Sequence, residues 1–338
     1  VNNMSNMFRN CNSLTVIDVS GFNTSQVINM GCMFINCNSL TEVDVSGFNT
    51  SQVTDMANMF KGCASITVLE LSNFDTSKVT NMSDMFNNCG HIALKSLNLG
   101  SKFNTNNVTD MGRMFSHCGF EAMTSLNLGD NFDTSNVQWM GYMFYATGYD
   151  SMTTLNLGAK FNTSKVEDMS YMFYECGYNA LTSLDLGSNF DTSSVTNMDS
   201  MFHSVGYTAM TSLNLGANFS TANVTKMTRM FKNCGYTKMT TLTLGSKFNT
   251  AKVTEMISMF EGTGYKVMTS LNLEGSFDTS KVTNMQAMFK NCGYTAMTTL
   301  TLGSKFNTAK VTEMVSMFEG TGHTAMTCLL YTSDAADD

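Results

Sequence analysis

Ten cysteines and four histidines are the side chains of this 338-residue chain with the widest chemical reach. Their spacing limits what they could do. Eight cysteines (Cys11, Cys37, Cys63, Cys89, Cys118, Cys176, Cys234 and Cys292) each stand four residues after the methionine of a Met-Phe pair. None forms the Cys-x-x-Cys spacing that zinc sites use, so no metal is expected. Free, buried thiols acting as small apolar fillers are the expected state. Cys32 alone lies off this register within the repeats, which makes it the candidate reactive or crosslinking thiol. The histidines occupy unrelated positions, except His91 and His323 far apart along the chain. No spacing pairs one of them with a serine or cysteine nucleophile, and no glycine-rich phosphate loop opens a helix. The pattern calls for no catalytic residue, no cofactor and no enzyme.

Two other groups of side chains could bind rather than react. Threonines recur in one register from Thr24 through Thr134 to Thr308. A regular hydroxyl rank could match ordered water, which would make an ice-binding face. The competing expectation is that each threonine satisfies backbone groups at a turn or helix start. The second group breaks the pattern. Trp139 stands where other coils carry Asp55, Asn81 or Asp110, and Tyr142 and Tyr171 stand where others carry Asn58, Asp84 or Ser200. Tyr145 and Tyr174 take a place held elsewhere by Lys61, Lys232 or Glu261. Aromatics in registers that otherwise hold polar residues would form an apolar patch suited to a protein or glycan partner. Trp139, Tyr142, Tyr145, Tyr171 and Tyr174 are therefore the candidate binding residues.

The elements that carry these residues follow from one dipeptide. Met-Phe occurs twelve times, at spacings of 26 residues for the first three intervals and 29 for the remaining eight. A fixed period of this size signals stacked coils, each burying its apolar side against its neighbours. In Met114 to Tyr142, the stretch Met123-Thr-Ser-Leu-Asn-Leu128 alternates near its end and reads as a short strand. Asp133-Thr134-Ser135 reads as a turn. Val137, Met140, Met143 and Phe144 follow at spacings of three, three and one, which predicts a short helix with one inward face. The expected fold class is an α/β repeat solenoid, leucine-rich-repeat-like, of about twelve coils. Its 26-residue coils would occupy 1–85 and its 29-residue coils 86–327.

The longer coil adds a glycine and a ring, as at Gly119-Phe120 and Gly148-Tyr149, which should stack into a ladder along one edge. There is also a two-coil period. Phe231 to Gly264 and Phe289 to Gly322, 58 residues apart, differ only at Lys238 against Ala296 and Ile257 against Val315. The residue after the strand phenylalanine alternates as Asp133, Asn162, Asp191, Ser220, Asn249, Asp278, Asn307, with one slip of phase.

A net charge of −8, with only 14% charged residues, offers phosphates no basic face and argues against nucleic acid. No segment reaches the roughly 18–20 apolar residues of a membrane span. The chain is expected to be cut at both ends. Val1 already stands inside a coil, and 328–338 matches no repeat position, reading as a non-native, disordered tail like translated adapter sequence.

The motif F-[ND]-T-S-x-V-x-x-M-x-x-M-F-x-x-C-x-x-L-T-x-L-x-L, plain at Phe22 to Val45 and Phe48 to Leu71, resembles that of the BspA-like leucine-rich-repeat surface proteins. The resemblance covers residues 1–327. It implies a secreted or cell-surface solenoid, with adhesion to host or neighbouring cells through surface proteins or glycans. It supplies no catalytic residues. A structural spacer or matrix solenoid without a ligand is the alternative.

Overall fold

The structure, a computed structural model, describes residues 1–275, 277–327 and 329. The tail expected at 328–338 lies outside the described residues apart from Leu329. The chain divides into two compact units, Val1–Lys165 and Val166–Asp338. The first holds β1 (Val16–Ile17), β2 (Glu42–Val43), β3 (Ser125–Asn127) and β4 (Thr154–Asn156). The second holds β5 (Ser183–Asp185), β6 (Ser212–Asn214), β7 (Ser270–Asn272) and β8 (Thr299–Thr301). The strands pair in parallel, β1 with β2, β3 with β4, β5 with β6 and β7 with β8. Equivalent residues face each other, as Leu126 does Leu155 and Leu184 does Leu213. In both units the middle leucine points inward between exposed polar neighbours, the period-two alternation of a strand with one buried face.

The predicted helix is absent: no described residue is helical, and the α/β class is corrected to strands and turns alone. The methionines and phenylalanines are as deeply buried as a helical face would place them; Met111, Met114 and Phe115 are fully enclosed. The backbone reaches that burial by another route. An α-helix bonds each successive N–H to the carbonyl four residues back. Here alternate N–H groups leave the coil: Arg113 bonds Gly141 O at 3.1 Å, Phe115 bonds Met143 O at 2.9 Å and His117 bonds Tyr145 O at 2.7 Å. The N–H groups between them close turns onto the third residue back, Ser116 on Arg113 O at 3.1 Å and Cys118 on Phe115 O at 2.9 Å. This requires a left-handed residue before each Met-Phe pair and another four positions later. Arg113 (φ 55°) and His117 (φ 54°) show it, as do Asn58 (φ 57°) and Gly62 (φ 73°). A spacing of three therefore arose from successive turns, and periodicity alone could not separate the two.

The threonine register also bonds coil to coil. Thr134 Oγ1 donates to Asn162 O at 2.6 Å and accepts Asn162 N–H at 2.7 Å; Thr192 does the same with Ser220 at 2.7 Å for both. Thr24 through Thr279 are at most 2% exposed, so they cannot present a hydroxyl face to ice, and that expectation is overturned. The hydroxyls stabilise the stack because two part-buried backbone groups would otherwise lose these partners.

Strand pairing follows the two-coil sequence period. From Asp75 onward, each paired set joins an Asp coil to the coil after it. Glu70 bridges Asn98 between the coils of Asp75 and Asn104, and β3–β4 joins those of Asp133 and Asn162. In the second unit β5–β6 joins the coils of Asp191 and Ser220, and β7–β8 those of Asp278 and Asn307. The Asn249 coil, where the sequence alternation slips, has no strand. The backbone also differs along the alternation, though Asn249 N–H reaches Thr221 Oγ1 at 2.7 Å, so the threonine contact alone does not select the paired coils. Asp133 and Asp191 turn their N–H groups onto Asn131 O and Asn189 O of their own coil, both at 3.0 Å. Asn162 and Ser220 reach back to the preceding threonine instead.

The glycine–ring insertion stacks as its period suggests. His91, Phe120 and Tyr149 lie 4.6 and 4.5 Å apart in the first unit. Tyr178, Tyr207, Tyr236, Tyr265, Tyr294 and His323 follow at 4.4–4.8 Å in the second. Gly148 makes this possible at φ +54°, with an added Cβ only 2.4 Å from Met152 Cβ.

Candidate functional site

Trp139 continues a bridge ladder that runs through Asn29, Asp55, Asn81 and Asp110. In those coils the side chain also caps a turn, as Asp110 Oδ1 accepts Gly112 N–H at 2.9 Å. Tryptophan cannot supply that acceptor, yet the backbone holds, with Met111 N–H on Trp139 O at 3.1 Å. The indole lies over Gly112. A Cβ on that glycine would sit 2.4 Å from both Cδ1 and Nε1, so Gly112 is the residue that lets the ring lie down. Trp139 nevertheless remains 44% exposed.

The rest of the first-unit patch adjoins it through the next residue. The Arg113 guanidinium sits over the Tyr142 ring, 5.1 Å from its centroid. Tyr142 packs on Tyr145 at 5.8 Å, and Tyr145 on His117 at 5.1 Å. Tyr142, Tyr145 and His117 are half-buried, whereas Arg113 is exposed. Arg113 makes no ion pair among the described residues. Burial, with the His91 charge beside it, holds the His117 pKa below its ordinary value. Tyr142 occupies a left-handed position, φ 60°, that costs a bulky side chain more than asparagine.

Tyr171 and Tyr174 belong to the second unit, where they pack together at 5.7 Å, both half-buried. Tyr174 meets His203 at 4.5 Å. The His203 Nδ1 is buried with no hydrogen-bond partner, and burial together with Lys232 and Arg229 lowers its pKa to about 4. Burial also raises the neighbouring Glu175 carboxyl.

The sulfur chemistry is inert. All nine described cysteines are free, and no group of three or more His, Cys, Asp or Glu able to hold a metal occurs among the described residues. Burial raises the Cys118 and Cys292 thiols to about 12. Cys37 and Cys63 Sγ donate to Phe8 O and Phe34 O at 3.1 Å, and Thr147 Oγ1 fills the same role toward Phe115 O at 2.7 Å. Cys and Thr can therefore occupy one register, which Val205 fills by packing alone. Cys32 is half-buried and its thiol is also raised, chiefly by burial, which disfavours the reactive thiolate expected of it.

Four overlapping stretches, 2–119, 70–179, 147–269 and 207–327, match the family model described as "Mycoplasma protein of unknown function, DUF285". The chain belongs to this family. No curated protein matches it. The DUF285 match spans the repeats of both units and includes every candidate aromatic. No helix among the described residues is long and apolar enough to cross a membrane.

Sequence reasoning found the five aromatics by their departure from register but missed Gly112, Arg113, His117 and His203. Gly112 left no distinguishing signal, because the same register holds glycine again at Gly31 and Gly141. Arg113 left none, since a cation–π contact across 29 positions needs the coil spacing to be known.

Proposed function

We propose that this DUF285 repeat protein is a non-enzymatic, secreted or cell-surface binding protein whose coils display a patch for a partner on a host or neighbouring cell. The observation that carries this reading is Trp139. It is a large ring left 44% exposed in a ladder register that elsewhere holds polar or charged residues, among them the capping Asn29, Asp55, Asn81 and Asp110. Exposed tryptophan beside tyrosine and arginine has the composition of a binding hot spot. The resemblance to BspA-like surface proteins supports the same reading. Binding of the full chain to an array of cell-surface and matrix components tests it, with a Trp139→Ser/Tyr142→Ser variant alongside. Loss of signal in the variant is expected. Equal binding by both proteins would move the site elsewhere, and no binding by either would favour a spacer.

A further inference from the structure

Resting on that reading, we propose that the Trp139 patch recognises a carboxylated saccharide. The indole would take the sugar ring, and Arg113 would take its carboxylate. Three features carry this. The ring is backed by Gly112 and remains 44% exposed. A pyranose lays its C–H face on such a surface, whereas a protein partner needs a far wider dry area. The adjoining residue is a guanidinium pinned over Tyr142 without an ion-pair partner among the described residues, so its charge and planar donors are available to a carboxylate. Its aromatic seat limits the side-chain freedom lost on binding.

The local carboxylates are occupied. Asp110 Oδ1 holds Gly112 N–H, and Asp84 is paired with Lys61 at 2.9 Å and with Asn87 at 2.7 Å. The guanidinium lies over Tyr142 of the next coil. Clefts elsewhere, between Ser96 and Asn131 and between Leu242 and Phe277, are lined by the ordinary strand-end loops of their coils. The Trp139 patch adds to its ring a cation seated on an aromatic face, Arg113 over Tyr142.

Trp139 is the only tryptophan in the chain, so its emission reports this site alone. The full chain is titrated with sialyllactose and with lactose as its neutral parent, by fluorescence and by saturation-transfer NMR. Saturable change with sialyllactose is expected, with lactose binding roughly tenfold weaker, the share expected of a charge-assisted contact. Arg113→Gln should erase that preference, bringing sialyllactose binding down to the level of lactose. Gly112→Ala should shift the emission before sugar is added and weaken both. No saturable response to sialyllactose overturns the proposal, as does a preference that survives Arg113→Gln or is absent from the wild type. If sugars fail while the Trp139→Ser/Tyr142→Ser variant still loses cell-surface binding, the partner is a protein and the broader reading stands. If sugars bind but cell-surface binding ignores the variant, the site is real and the adhesion role falls.

Discussion

Replacing Thr134 with valine keeps shape and burial and deletes one hydroxyl. In the native stack that oxygen donates to Asn162 O at 2.6 Å and accepts Asn162 N–H at 2.7 Å. The substitution leaves both backbone groups without this partner. An orphaned buried group costs about 1–3 kcal/mol. Asn162 is half-buried, so water can recover part of that, and a carbonyl tolerates a lost bond better than an N–H. A loss of about 2 kcal/mol follows. Thr109→Val is the control: Thr109 is exposed, and its Oγ1 bond to Thr80 O is long, at 3.3 Å. It should lose less than about 0.5 kcal/mol. Urea unfolding followed by Trp139 emission, which reports the same unit, compares the two directly. If Thr134→Val unfolds at the same urea concentration as Thr109→Val, the hydroxyl does not link the coils and the reasoning fails.

Three further outcomes are expected. His203 titrates at about 4 in the folded chain against an ordinary value near 6.5. The unfolded chain therefore binds the extra proton between those values, and stability falls as pH drops through that window. Thermal melts of His203→Gln should show a smaller loss from pH 6.5 to 4 than the wild type, and identical slopes would remove the effect. Native thiol titration at pH 7–8 should leave Cys118 and Cys292 unmodified until the chain is unfolded, because burial keeps them protonated. Far-ultraviolet circular dichroism should lack the paired minima of helix; their appearance would restore the helical coil.

The sequence by itself determined the repeat, because twelve Met-Phe pairs at fixed spacing admit only stacked coils. It also determined the buried face, since Met111, Met114 and Phe115 are inward in any conformation with that spacing. Tertiary structure decided the rest. A spacing of three fits a helix and a run of turns equally well. The choice fell to turns because Arg113 and His117 send their N–H groups to the next coil, and no local pattern encodes a bond to a residue 28 positions away. The same distance hid the inward threonines and the guanidinium over Tyr142. Contacts between coils set which way a side chain faces, so they decided which hydroxyls are structural and which rings remain open to a partner.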